Sequence, residues 1–333
     1  MGLLAGLVAT APSDCTVDAI VPAGAEVPVA GVGEVRKLAL GRRELAGSWQ
    51  LGIAPGVGGG LIHSPTLMAP LVRHDRVHDN DQTTVTVWDL RAWEAPEQLP
   101  KGVAAWQRGM LRRAVRHADA VVVPSHAVAA RLSELAKLGD RIRVIAGAAP
   151  RGFSVPADAA ARRAALSLPA EYLVLSGSLT SIQEGFRAAV AAGLDAVVLD
   201  AGEGAEPRFA EVASAAGLPE RRAHVRGTLT ADDRSAVLAG AAVFVSTDQV
   251  AGWPWRAIEA MTVGIPVVAI DSSVHRDVIA DGGRLVSDED LAEAVVDASA
   301  DAGDRLRVLA SDRARAFSWE SSAERVWGLH ADL

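Results

Sequence analysis

Short β-branched runs alternate with alanine-rich helical stretches along most of this chain, and that alternation constrains its fold more than any other feature. The runs TVDAIVP, GLIHSP, TTVTVWDL, DAVVVPS and RIRVIAG come first, with a long helix through Arg116 and another through Leu138 between them. A strand, helix, strand rhythm predicts a parallel sheet covered by helices. At 147–159 the stretch GAAPRGFSVPADA clusters Gly, Pro and Ser between periodic segments, which marks a domain boundary. A second series follows: EYLVLSG, a helix over 183–192, DAVVLDAG, a helix near Ala210, AHVRG, a helix near Leu238, AVFVST, a helix over Glu259, PVVAID, and a final helical stretch. The expected fold class is therefore α/β, with two facing Rossmann-like, doubly wound domains over residues 1–150 and 151–333. The last helix is expected to pack back on the first domain. Ligands of such sheets sit at the carboxyl ends of the strands, so two facing domains imply a cleft.

The chain opens with a helical pattern, GLLAGLVATA, ahead of its first strand, where a doubly wound domain normally opens with a strand and a tight Gly loop. Either that first βα unit is absent or the true start lies upstream. The glycines of PGVGGGLIHSP do not replace the loop, because they precede a strand rather than a helix, and they read as a turn. The opening stretch resembles a secretory signal in its small-residue ending, but no Lys or Arg precedes it, and a buried helix is the better reading. No run approaches the roughly 18 apolar residues of a membrane span. The single cysteine, Cys15, excludes an internal disulfide framework and a cysteine-built zinc site, which fits a cytoplasmic protein. A net charge of −8 argues against nucleic acid as partner, since phosphate neutralisation needs a cationic surface. One basic helix, RGMLRRAVRHAD, carries Arg108, Arg112, Arg113 and Arg116. It reads as a solvated face, with peripheral contact to an anionic inner membrane surface as the alternative.

Four strand ends are candidates for chemistry. After EYLVLSG, whose last residue is Gly177, come Ser178, Thr180, Ser181 and Gln183 at a helix start, where backbone N–H groups and hydroxyls could receive an anion or simply cap the helix. After AVFVST come Ala251, Gly252, Trp253 and Trp255, then Arg256 and Glu259 on a helix. Gly252 permits close backbone approach, the helix start favours a negative group, and Glu259 could accept from a ligand hydroxyl. The two indoles either cover a ring or pack in the core. In the first domain, LIHSP ends with His63 and TTVTVWDL with Trp88 and Asp89, an acceptor-side pair of strand tips. No HExxH or Walker pattern occurs, and no obligatory metal or other cofactor is expected.

Taken in order, these stretches resemble the retaining glycosyltransferases of family 4, whose fold is the GT-B pair of facing Rossmann-like domains. LIHSPTLMAPL, TTVTVWDLRAWEAPEQLPKGVAAWQR, AVRHADAVVVPSHAVAARL and RIRVIAGAAPRGF resemble the acceptor domain. GSLTSIQEGF, AHVRGTLT, the run from AGAAVFVST through GGRLV, and RARAFSWESSAERV resemble the donor domain. The resemblance implies a nucleotide diphosphate sugar bound mainly to the second domain. A hexose such as mannose would pass with retained configuration to a sugar, glycan or lipid-linked acceptor held by the first. It implies that Glu259 matches the second of two glutamates separated by seven residues, the one at the donor ribose, and that Ala251 stands where the first would contact the transferred sugar. Ser178 and Gln183 occupy the places of an expected Arg and Lys, and Trp88 that of a His. Arg226, Gly227 and Thr228 of AHVRGTLT, with Arg256, are the candidates for the missing charge on the donor side.

The substitutions matter energetically. One preorganised charge-stabilising donor is commonly worth about 2.7 to 4 kcal/mol in the transition state, so two absent cations and an absent carboxylate could abolish turnover. The sequence thus carries an enzyme reading and a rival in which the fold is kept as a binding or partner subunit. An epimerase on the same fold ranks below both, because no convincing pair of acids is offered to a sugar carbon.

Overall fold

The computed structural model describes residues 1–54, 56–74, 81–300 and 302–333, so Pro55 of the glycine-rich turn lies outside the described residues. The chain divides into two compact units. Unit 1 comprises Met1–Gly147, Val250–Trp253 and Ser318–Leu333, and unit 2 comprises Ala148–Gln249 and Pro254–Phe317.

In unit 1 the elements are α1 (Gly2–Ala9), β1 (Ala19–Val21), β2 (Val35–Lys37), α2 (Arg42–Gln50), β3 (Leu61–Ser64), β4 (Gln82–Thr86), α3 (Arg91–Glu94), α4 (Val103–His117), β5 (Ala120–Val123), α5 (His126–Leu135) and β6 (Ile142–Val144). Among the described residues β3, β4, β5 and β6 form a parallel sheet in sequence order, and β1 pairs in parallel with β2 in a separate ladder. The central β5 is AVVV, buried at every residue, as befits a parallel strand covered on both faces. At the edge, Leu61 of β3 is 55% exposed. The α/β class and parallel sheets agree with expectation, but the strand order of this sheet never reverses, so unit 1 lacks the doubly wound order among its described strands.

Unit 2 contains α6 (Ala159–Ala165), β7 (Tyr172–Ser176), α7 (Gln183–Ala191), β8 (Asp195–Val198), α8 (Glu206–Ala215), β9 (Ala223–Val225), α9 (Ala231–Ala239), β10 (Phe244–Ser246), α10 (Trp255–Thr262), β11 (Val267–Ile270), α11 (Ser273–Val278), β12 (Arg284–Val286), α12 (Leu291–Ser299) and α13 (Gly303–Ala314). Its parallel sheet has the order β12-β11-β10-β7-β8-β9. The chain runs from β7 outward to β9, then crosses to β10 on the other side of β7, which puts a topological switch between β7 and β10. A core of Leu173, Leu175, Phe186, Val198, Val245 and Ile270, among others, fixes the sheet against its helices. The strand β12 differs from the expected final helical stretch. Pairing with β11 defines it.

The last helix, α14 (Trp319–Asp332), belongs to unit 1, where Ser318 caps it by accepting from Ser321 N–H at 3.1 Å. It packs on α1 through small residues: a Cβ at Gly6 would sit 2.5 Å from the Trp319 carbonyl oxygen. Val326 and Leu329 of α14 meet Ala120, Val122 and Ile145, with Leu3 and Leu7 of α1 against them. The expected opening helix is thus a packed element. Within α4, Arg108 donates to the Ala92 carbonyl at 2.8 Å and Arg113 to that of Leu71, so two of its arginines are tied to backbone while keeping their charge. Among the described residues no helix is long and apolar enough to cross a membrane.

Candidate functional site

The switch point of unit 2 is bordered by Gly177 and Ser178 after β7 and by Thr247 after β10. Gly177 has no room for a side chain, because a Cβ there would collide with Thr247 Oγ1. The requirement is close approach, since its φ is not among the positive values. Beyond it, Ser178 Oγ lies 2.9 Å from Thr180 Oγ1 and 3.1 Å from Ser181 Oγ, and Ser178 N–H donates to Ser181 Oγ at 3.0 Å. These hydroxyls stiffen the loop that leads into α7, which Gln183 opens.

Behind that loop runs a chain of charges. Glu259 on α10 has a side chain only 3% exposed, and both its oxygens are occupied. Arg234 on α9 donates from Nη2 to Oε1 at 2.8 Å and from Nε to Oε2 at 3.1 Å, while Arg256 donates from Nη1 to Oε2 at 2.8 Å. Arg256 turns its other edge to Asp200, with Nε to Oδ2 at 2.6 Å and Nη2 to Oδ1 at 3.0 Å, a bidentate fork. Burial works against the Arg256 charge, but its Asp200 hydrogen bonds and the Glu259 and Asp200 charges outweigh it, so its pKa lies above the ordinary arginine value. Asp200 follows β8 and Arg256 follows β10, the two strands that flank β7. Asp200 has the positive φ of 61°, uncommon for a residue other than glycine but tolerated by Asp and Asn.

The remaining expected donor residues have other surroundings. Arg226 donates to the carbonyls of Val225 at 2.9 Å and Leu166 at 2.7 Å, which makes it a brace for the edge of the sheet. Gly227 and Thr228 continue past β9, and a Cβ at Gly227 would meet only the Ala201 carbonyl, at 3.7 Å. Gly252 and Trp253 belong to unit 1, where Gly252 bridges Asp89 in antiparallel fashion and a Cβ on it would sit 2.7 Å from the Asp89 Cβ. Leu90 N–H donates to the Ala251 carbonyl at 2.7 Å, Trp253 N–H to that of Trp88 at 2.9 Å, and Ala251 N–H to Glu94 Oε2 at 2.7 Å. The amides of Ala251 and Trp253 are therefore engaged within unit 1. Trp253 is buried, and Trp255 at the start of α10 is exposed.

Among the residues expected on the acceptor side, His63 lines a small pocket with Thr86, Trp88, Trp319, Ser322 and Val326. Its Nε2 lies 3.5 Å from Thr86 Oγ1, its Nδ1 is buried without a partner, and its ring stands edge-on to His330 with centroids 5.7 Å apart. Burial, with the His330 ring beside it, pushes the His63 pKa down from 6.5 to about 3, so the imidazole is neutral at pH 7. Trp88 donates its indole N–H to the Pro65 carbonyl at 2.9 Å and stacks edge-on to Trp319. Asp89 accepts from Arg91 N–H at 2.9 Å, as a turn-closing carboxylate does. No hydrogen bond joins His63 to Asp89 among the described residues.

Sequence reasoning passed over Arg234, Asp200, Thr247 and Glu94. Asp200 carried a usable signal, an aspartate just past the apolar run of DAVVLDAG. Arg234 carried none, since an arginine in a helix that starts ADDRSAV reads as solvent-facing until α10 is set beside α9.

Residues 178–301 match the family described as Glycosyl transferases group 1. Sequence comparison with curated proteins gives no match. Among solved structures, the sucrose-phosphate synthase of Thermosynechococcus elongatus is 23% identical, covers 99% of this chain and 91% of its own, and superposes with a TM-score of 0.72. HepE of Anabaena in complex with UDP is 18% identical over 87% of this chain and 82% of its own, with a TM-score of 0.62. AviGT4, a glycosyltransferase of avilamycin A biosynthesis, is 15% identical over 99% and 87%, with a TM-score of 0.54. At these identities the likeness establishes the fold. The switch-point loop after Gly177 and the whole Asp200, Arg234, Arg256 and Glu259 chain lie inside the matched segment, so residues 178–301 resemble the group 1 glycosyl transferases within an α/β fold that solved glycosyltransferases also have.

Proposed function

We propose that the protein is a hexosyltransferase of the retaining family 4 type, moving a sugar such as mannose from a nucleotide diphosphate sugar bound by unit 2 to an acceptor held by unit 1. The observation that carries this reading is the coincidence of the family match with the switch-point edge. The 178–301 segment includes the tight Gly177 to Ser181 turn from its second residue onward, and the only cations in direct contact with Glu259 among the described residues, Arg234 and Arg256. Arg256 faces the leaving diphosphate, the Ser178 loop approaches it through backbone, and Glu259 accepts a sugar hydroxyl of the nucleoside in place of part of its arginine pairing. The His63, Trp88 and Asp89 side of unit 1 receives a sugar, glycan or lipid-linked acceptor. The reaction needs no resident metal in this reading, and the protein works in the cytoplasm, with Arg112 and Arg116 of α4 as the groups that could touch an anionic membrane face.

Isothermal titration of the full-length protein with UDP, GDP, ADP and their sugars tests the reading. UDP leads the panel because HepE was solved with it. Binding of one nucleotide series at micromolar strength, followed by release of that nucleoside diphosphate on adding acceptor, is the expected outcome, and a folded protein that binds none discards it.

A second reading, a fold retained as a binding or partner subunit, is favoured by the methyl group of Ala251 and by the complete occupancy of the Glu259 carboxylate. Sugar transfer or donor hydrolysis that disappears in Glu259→Ala would exclude it.

A further inference from the structure

The charge chain of unit 2 contains a surplus that the fold itself covers. Glu259 is satisfied in charge and in geometry by the Arg234 fork alone, so Arg256 adds a second cation to a carboxylate already neutralised. Asp200 balances that cation, and it is the outermost member of the chain: its side chain is 37% exposed, against 3% for Glu259, 12% for Arg234 and 20% for Arg256. The two Asp200 oxygens engage the Nε and Nη2 edge of the guanidinium, the fork that also suits two oxygens of a phosphate. The pair joins the elements on either side of β7, where a sheet of this order binds its ligands.

We propose that Asp200 is a built-in competitor for the anion-binding edge of Arg256, standing in for ligand phosphate when the site is empty and displaced when a nucleoside diphosphate binds. With Asp200 turned away, Arg234, Glu259 and Arg256 together present one net positive charge to the ligand. The inference rests on the donor-site reading above and adds the residue that sets its affinity threshold. Because the competent edge is free for only a fraction of the time, apparent affinity is reduced by that fraction.

The test is titration of wild type, Asp200→Asn, Arg256→Gln and the double variant with inorganic pyrophosphate, UDP, GDP and ADP. Asn keeps the side-chain shape and tolerates the left-handed backbone, and Asp200→Gly serves as a second variant if Asn misfolds. The expected result is that Asp200→Asn binds the preferred nucleoside diphosphate about tenfold more tightly than wild type, corresponding to an edge roughly nine-tenths occupied by Asp200. That gain should vanish in the double variant. Equal affinity of wild type and Asp200→Asn for a nucleotide that both bind overturns the competitor and leaves the donor reading standing. A gain for pyrophosphate with no preference for any nucleoside diphosphate supports the competitor and overturns the nucleotide reading. Failure of all probes to bind the folded wild type and Asp200→Asn overturns both.

Discussion

The carboxyl edges of the two sheets handle buried polarity in opposite ways. In unit 2 the charges of the site are paired with one another: Arg234 and Arg256 close on Glu259, and Asp200 closes on Arg256. In unit 1 the buried polar groups at the end of β3 are neutral rings. His63 and His330 meet edge-on, and His63 Nδ1 and His330 Nε2 are buried with no bond made. The difference teaches where each unit is breakable. A paired charge is tolerated until a partner goes, whereas an unpartnered neutral group already carries its penalty and gets worse only when forced to ionise.

The sharpest way to break the comparison is to remove one arginine. Arg234→Ala should destabilise unit 2 by about 3 to 5 kcal/mol, because it strips the fork from a carboxylate that cannot reach water. Denaturant unfolding would measure it, and a loss under 1 kcal/mol would mean that Arg256 alone suffices for Glu259.

Acid sharpens the other side. The folded pKa of His63 lies near 3 and its ordinary value is 6.5, so the unfolded chain binds the extra proton first on acidification. The contribution of the neutral ring is present in full above pH 6.5 and is lost as pH falls toward 3, at up to about 1.4 kcal/mol per pH unit. His330 is depressed in the same direction by burial and adds to the slope. Urea unfolding at pH 7.5, 6.0 and 5.0 should show this decline, and His63→Leu should flatten it while leaving stability at pH 7.5 unchanged or slightly raised, since the orphaned nitrogen goes. An unflattened slope would locate the acid sensitivity elsewhere.

A smaller effect is expected where unit 2 is tight without charge. Gly177→Ala should cost about 1 to 3 kcal/mol as its methyl meets Thr247 Oγ1. Thr247→Ala in the same chain should return part of that loss, because the Thr247 Cβ stands 3.4 Å from the new methyl while Ser181 Oγ remains 3.1 Å away. Absence of rescue, read from melting temperatures, would point to a different strain in the turn.

Much of this was legible in residue order. The apolar runs of β5, β7, β8 and β11 announced buried parallel strands, and the Gly177, Gly252 and Glu259 positions were recognisable as strand-end features. Their surroundings were less so. Gly252 permits a close backbone approach, and what approaches it is Asp89, 163 positions earlier in the numbering, through an antiparallel bridge. Arg226 was read as a spare cation, and it bonds the Leu166 carbonyl. The short β2 and β12 were not expected, and their pairing with β1 and β11 makes them strands.

What the order of residues determined by itself is the local grammar. Period fixes most of which segments are strands and which are helices, and Ser125, Thr230, Ser272 and Ser318 fix helix starts by accepting from the N–H group three residues on. Tertiary structure alone decided which charges and amides are already taken. An arginine on α9, a glutamate on α10 and an aspartate after β8 are each ordinary in sequence, and only the crossing of the chain at β7 brings them within hydrogen-bond reach. Hydrogen bonds and ion pairs act over a few ångströms of space, and distance along the chain carries no record of that proximity.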